Sequence, residues 1–132
     1  MATLIENPVW SPLTKAVVGA CFEVHKQLGP GLLESVYDDA LAIELAERGM
    51  MYERQYPVPV VYKGRIAGDP FRIDFFVSRC VILEIKAVEK IHPIHIAQTL
   101  TYLKLTKAPI GFLVNFHEPL LKDGIRRLLL DV

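Results

Sequence analysis

Long apolar runs, cysteine and an excess of either charge are what this chain lacks, and each lack narrows its chemistry. No uninterrupted apolar stretch reaches the roughly 18–20 residues of a membrane-spanning helix. The opening MATLIENPVW has no basic region leading into a long apolar one, so a cytoplasmic chain with no membrane partner is expected. Cys21 and Cys80 have neither CxxC nor metal-ligand spacing, which argues against a disulfide scaffold and fits a reduced compartment. Fifteen basic residues balance fifteen acidic ones, so no overall field draws in a polyanion, and any nucleic-acid contact must come from a local patch. GxSxG, a Cys-His pairing and the dinucleotide fingerprint are also missing, and Gly64 and Gly68 do not make a phosphate loop. What is plentiful is apolar: 52% of residues are hydrophobic. For 132 residues that suits one domain, 1–132, with 1–10 as a lead-in. The apolar surplus also suits burial between subunits, as in a homodimer.

Taken in order, the chain alternates helical and strand patterns without repeats or linkers. Ser11 followed by Pro12 reads as an N-cap and first helical residue, and Leu13, Val17, Ala20, Cys21, Val24 and Leu28 recur at helical spacing up to Gly29-Pro30-Gly31. Residues 32–48 read as a second helix, closed by Gly49. Residues 50–62 read as a strand that Pro57 and Pro59 confine to an edge, with Lys63-Gly64 as its turn. Two further strands follow, 71–77 and 81–88, then a helix opened by Pro93 and running to about Thr106. The almost wholly apolar stretch 110–116 suits a central strand. The tail after Lys122-Asp123-Gly124 suits a last strand or a short helix. The order α-α-β-β-β-α-β predicts an α/β fold of the mixed α+β kind, with a sheet of four to five strands and helices on both faces.

The two strands in RIDFFVSRCVILEIK, from Arg72 to Lys86, carry the chemistry. If Ser78, Arg79 and Cys80 form a three-residue hairpin loop, Val77 faces Val81, Phe75 faces Leu83, and Asp74 falls opposite Glu84, within roughly 5 Å at Cβ. A loop of even length would put the acids on opposite faces. Alternation supports the odd loop. Ile73, Phe75, Val77, Val81, Leu83 and Ile85 make one apolar face, and Arg72, Asp74, Phe76, Ile82, Glu84 and Lys86 make the other. Adjacent acids raise each other's pKa unless a cation is near, so the pair asks for Lys86, Arg72 or a metal, and oxygen ligands suit Mg²⁺ or Mn²⁺. A salt-bridge cluster on a half-exposed hairpin has the same pattern.

Other residues fall at suggestive spacings. Glu34 and Tyr37 lie three apart on the second helix and share a face, which places a carboxylate near the core in need of a partner. The alternative is an acid favoured by the helix dipole. Gln98 and Tyr102 lie four apart on the third helix, placed to hold a substrate strand or orient Lys86, or else simply a surface pair. His92 and His95 form HxxH, but Pro93 disturbs the helix there and no third zinc ligand is spaced for it. His25 and His117 have no partner that spacing reveals.

Asp74 followed by Glu84-Ile85-Lys86 resembles the D…(D/E)xK signature of the PD-(D/E)XK nuclease superfamily, with Ile73 where the proline of that name would stand. GLLESVY, from Gly31 to Tyr37, resembles the namesake motif of its GxxExxY family. HKQLGPG, ELAERG, VVYKGR, RIDFFV, EIKAVEKI, AQTLTYLKL and LVNFHEPLLKDGIRR are similar to further stretches of that family, from about Ala16 onward. Gln98-xxx-Tyr102 resembles the QxxxY helix motif of the recombination-exonuclease branch, whose members carry a helical glutamate where Glu34 stands. The resemblance implies a restriction-endonuclease-like core and a Mg²⁺- or Mn²⁺-dependent nuclease acting on nucleic acid, DNA ahead of RNA. It implies that Asp74, Glu84, the main-chain carbonyl of Ile85 and Glu34 hold the ion. Lys86 would position or deprotonate the attacking water, and Gln98 and Tyr102 would orient Lys86 or substrate. Arg72, Lys90, Lys104, Lys107 and Arg126 are candidate phosphate contacts. Two other readings of the acids stand beside it: an interaction module that keeps the fold without catalysis, and a glycosidase pair, which lacks nearby sugar-stacking aromatics.

Overall fold

The structure, a computed structural model, describes residues 10–130. Its elements are α1 (Trp10–Leu28), α2 (Glu34–Glu47), β1 (Tyr52–Val58), β2 (Val61–Tyr62), β3 (Arg65–Ile66), β4 (Phe71–Val77), β5 (Val81–Lys86), α3 (Pro93–Thr106), β6 (Ile110–Asn115) and β7 (Ile125–Leu129). A short 3-10 turn, Leu121–Asp123, precedes β7. Five strands form one mixed sheet in the order β1-β4-β5-β6-β7, and β2-β3 stand apart as a two-stranded hairpin. This is the mixed α+β, restriction-endonuclease-like architecture expected, and the undecided tail is a strand.

Only β5 and β6 run parallel, joined through α3, because a parallel pair needs a crossover connection. Every residue of β6 is buried, as are all of β5 except Lys86, which is why both read as nearly unbroken apolar runs. Phe75, Val77, Val81, Leu83 and Ile85 pack on one side with Val17, Ala20, Val24, Leu41 and Leu45 of α1 and α2. Phe76 and Ile82 pack on the other with Tyr102 and Leu103 of α3. Helices therefore cover both faces. Pro57 sits in β1, which is an edge strand, where a missing N–H costs no inner rung.

Boundaries differ from the sequence reading in five places, the slightest being β6, which ends at Asn115 rather than Phe116. The first helix already includes Trp10 and Ser11, so Ser11 is not its cap; the lead-in before Trp10 lies outside the described residues. The second helix starts at Glu34 and ends at Glu47. The single strand expected over 50–62 divides, because β1 stops at Val58 and β2 begins a separate hairpin. The strand β5 ends at Lys86 rather than Val88, since the Asn115 side chain takes over the next main-chain groups. Its Oδ1 accepts from Val88 N–H at 3.1 Å and its Nδ2 donates to the Val88 carbonyl at 2.8 Å.

Candidate functional site

The β4–β5 loop, residues 78–80, turns through two consecutive left-handed residues, Ser78 (φ 51°) and Arg79 (φ 49°). Three loop residues set the register Val77↔Val81, Phe76↔Ile82, Phe75↔Leu83, where regular pairing ends at Asp74 and Glu84, and Ile73, expected on the Phe75 face, packs with Phe76 and Ile82 on the other. There the ladder opens on both sides of β4. Toward β1, Ser78 N–H donates to the Met51 carbonyl at 2.8 Å, and antiparallel alternation makes residues 76 and 74 the next to face that strand. Pairing reaches Arg54↔Phe75 and resumes at Tyr56↔Ile73. Between them Gln55 is left-handed (φ 52°), and its carbonyl accepts from the Arg72 guanidinium at 3.4 Å.

Asp74 N–H donates instead to Glu84 Oε2 at 2.8 Å, and Ile85 N–H donates to Asp74 Oδ2 at 2.7 Å. Each acid thus serves as a main-chain acceptor for the other's strand and keeps one oxygen in reserve. For Asp74 that oxygen is Oδ1, 3.4 Å from the Gln55 amide nitrogen. Because N–H and C=O of one strand residue point the same way, the Ile85 carbonyl looks toward the same gap.

Glu84 is 4% exposed. Burial first, and then the neighbouring Asp74, push its carboxyl up to about 8. Asp74 is raised too, chiefly by burial and further by the charges of Asp38 and Glu34, while the Ile85 N–H bond and Lys86 pull it down. A buried acid and a half-buried one this close favour sharing a proton or acquiring a cation. Lys86 is half-buried, lowers both acids, and joins no ion pair among the described residues.

Sequence reasoning placed Glu34 near the core, and the structure corrects this: Glu34 is exposed. It is the first residue of α2, where the helix projects past the core, yet its charge still reaches both acids. Tyr37, three residues on, is wholly buried and stacked on Phe116 at 4.7 Å. Its hydroxyl donates to the Gly29 carbonyl at 2.5 Å and accepts from Leu32 N–H at 3.1 Å. Tyr37 therefore ties down the turn from which Glu34 is presented. The two share a stretch of sequence and divide the work.

On α3, Tyr102 is buried, meets the Phe71 ring at a tilt with centroids 5.7 Å apart, and has its phenol pushed up to about 12 by burial and by Glu84 and Asp74. It stays a neutral hydroxyl beside the acids. Gln98 is half-buried one turn earlier, and among the described residues no hydrogen bond joins it to Lys86. His92 and His95 serve the start of α3: His92 Nδ1 accepts from Ile94 N–H and His95 Nδ1 from His92 N–H, both at 3.1 Å. Burial, Lys86 and His92 together lower the His95 pKa. The five candidate phosphate contacts, Arg72, Lys90, Lys104, Lys107 and Arg126, are all exposed.

Two contributors escaped the sequence reading. Gln55 was invisible because a left-handed residue inside a strand leaves no trace in an apolar pattern. Asp38 stands one turn after Glu34, and that spacing was the available signal. Its Oδ2 meets Arg54 at 3.2 Å, while its Oδ1 is buried with no hydrogen-bond partner. Among the described residues no three His, Cys, Asp or Glu side chains are grouped to hold a metal as they stand. The donor set nevertheless fits a hard divalent cation: oxygen donors only, two acids raised for want of a positive charge, and one orphaned carboxylate oxygen nearby. A concavity of about 560 Å³ between α1 and β7, lined by Thr14, Lys15, Phe22, Phe112 and Arg127 among others, contains none of these residues.

No helix of the described residues is long and apolar enough to cross a membrane. A family model described as the PD-(D/E)XK nuclease superfamily matches residues 11–128. No curated protein and no solved structure matches the chain.

Proposed function

The chain belongs to the PD-(D/E)XK nuclease superfamily, and from that premise we propose that it is a metal-dependent nuclease of the GxxExxY group, hydrolysing phosphodiester bonds of DNA in preference to RNA. The observation that carries the reading is the opened rung at Asp74 and Glu84, where a half-buried and a buried acid each accept a main-chain N–H from the other's strand and each keeps one oxygen outside those bonds. Asp74, Glu84 and the Ile85 carbonyl would hold Mg²⁺ or Mn²⁺, with Glu34 completing the set from the start of α2. Such an ion, when bound, acidifies a water and offsets charge on the phosphate.

Lys86, on the same face as both acids, holds the attacking water by an N–H bond and steadies the charge that develops on the phosphate oxygens. Tyr102, kept neutral, and Gln98 orient Lys86 or the substrate strand. Asn115, by fixing the main chain just past Lys86, limits where the ammonium can reach. We place the protein in the cytoplasm as a single domain. Its exposed apolar residues, Leu32, Leu33 and Ile43 among them, favour a homodimer.

Titration calorimetry with Mg²⁺ and Mn²⁺ should show binding to wild type that Asp74→Ala abolishes. Labelled single-stranded, duplex and branched DNA and RNA incubated with Mn²⁺ should be cut, and Lys86→Ala should reduce the rate by at least about 10³-fold. No binding of either ion would sink the metal-centre reading. A second reading, an interaction module that retains the fold without catalysis, is favoured by the lack of a ready three-donor group among the described residues. Metal binding without cleavage of any polynucleotide would support it.

A further inference from the structure

We propose that the β2–β3 hairpin is a grip for a single-stranded stretch of nucleic acid beside the Asp74–Glu84 site, with Tyr62 stacking on a base and Lys63 and Arg65 on phosphates. The inference rests on the nuclease reading and adds the means of holding the substrate. The hairpin projects from the site's end of the sheet. It lies between Val58 and Phe71, which pair with each other, and Phe71 is three residues from Asp74. At about 3.3 Å per residue the root of the hairpin is roughly 10 Å from that acid, the span of about three nucleotides of B-form rise.

Nothing in the core explains the hairpin's sequence. Val61, Tyr62 and Ile66 are 59%, 65% and 71% exposed, and a two-stranded hairpin that buries no face is marginal by itself. Its turn is the two-residue primed kind, with Lys63 at φ 50° and Gly64 at φ 77°, positions that ordinarily take Asn, Asp or Gly. A lysine held there in the left-handed region puts a cation at the tip in a conformation its side chain disfavours. Lys63 Nζ lies 5.4 Å from the Tyr62 ring centre, so an exposed aromatic face and a cation are presented together. Lys63 and Arg65 join no ion pair among the described residues.

Charge complementarity singles out a polyanion as the occupant. Residues 61–72 hold three cations and one acid in a chain of zero net charge. The neighbouring site has the opposite sign: Asp38 and Glu34 act on Asp74, and Asp74 and Glu34 act on Glu84. An acid-rich centre repels the phosphates it must receive, so a cationic arm beside it supplies the attraction. Aromatic stacking on an exposed ring requires an unpaired base, which selects a single-stranded segment.

The test is fluorescence anisotropy with labelled single-stranded DNA and RNA oligonucleotides in Ca²⁺, read across a salt series, on the full chain. Tyr62→Ala should weaken binding about tenfold without changing the salt dependence. Lys63→Gly with Arg65→Ala should weaken it by a similar factor and flatten the slope of log affinity against log salt by about 1.4, for two lost phosphate contacts on a single strand. Lys63→Gly suits the turn, so folding is preserved, and an unchanged melting temperature verifies it. Hairpin variants that bind like wild type overturn the grip and leave the nuclease reading intact. A wild-type dimer that Ile66→Glu dissociates, with oligonucleotide binding unchanged, assigns the hairpin to self-association and also overturns it. A wild type that neither binds nor cuts any polynucleotide removes both.

Discussion

The two ends of the β4–β5 hairpin differ as much as any two parts of this molecule, although they are only three residues apart along either strand. At the loop end Val77, Val81, Phe75 and Leu83 are fully buried and in register. At the open end the rungs that alternation would supply are replaced by carboxylates, and Gln55 on the neighbouring strand is held left-handed. One end is built from what stabilises a sheet. The other uses groups that burial penalises. A hairpin so divided can present acids rigidly because its closed end does not move.

The largest effect expected from breaking the comparison is at the closed end. Phe75→Ala removes a ring that is fully buried, lies 5.7 Å from Tyr52 and carries the Arg54 guanidinium 5.5 Å from its centre. It should cost about 3–5 kcal/mol in urea unfolding. Asp74→Asn, only one residue away, should leave stability unchanged or raise it while abolishing metal binding. Equal losses from both changes would mean that the two ends are not separate in kind.

A smaller effect sharpens the comparison at the open end. The folded chain keeps a proton on Glu84 up to about pH 8, whereas the unfolded chain releases it near 4.5. In that window the native state binds more protons than the unfolded one, so stability falls as pH rises. Glu84→Gln removes the penalty and can still accept the Asp74 N–H bond. Its gain over wild type should be on the order of 4–5 kcal/mol near pH 9 and close to zero near pH 4. Mg²⁺ should raise the melting temperature of wild type at the higher pH and leave that of the variant unchanged. Parallel stability-pH curves for the two proteins would count against a buried, proton-sharing pair.

The closed end was legible in the sequence because period-two alternation and a count of three loop residues leave a single register that buries every apolar side chain. That register also put Asp74 across from Glu84 and Ile73 beside Phe75; the acids do bond across the strands, but regular pairing ends at Phe75↔Leu83 and Ile73 packs on the other face. Glu34 was misjudged because helical spacing records which face a residue occupies but not where the helix leaves the core. The start of α2 depends on the Tyr37 hydroxyl gripping Gly29 and Leu32, a tertiary contact. His92 and His95 had metal-like spacing and turn out to be acceptors for main-chain N–H groups at a helix start. Asp38 was passed over because its significance lies in one oxygen that finds no partner, which only packing reveals.

Gln55 gives the smallest expected effect and the one that separates strain from contact. Gln55→Gly relieves the left-handed backbone at no steric cost and should stabilise the fold by ~1 kcal/mol, while losing the amide that faces Asp74 Oδ1. Gln55→Asn keeps an amide and tolerates the same φ, but its shorter side chain falls short of that oxygen. If the left-handed kink alone frees Asp74 N–H for Glu84, both variants should keep the slow amide exchange of Asp74 and Ile85, and cleavage should fall only a few-fold. If the amide contact is what aims Asp74, cleavage should fall about tenfold in both, with exchange at those two amides speeding up. A glycine variant that is no more stable than wild type would show that Gln55 is not strained, and the opened rung would then be set by the acids themselves.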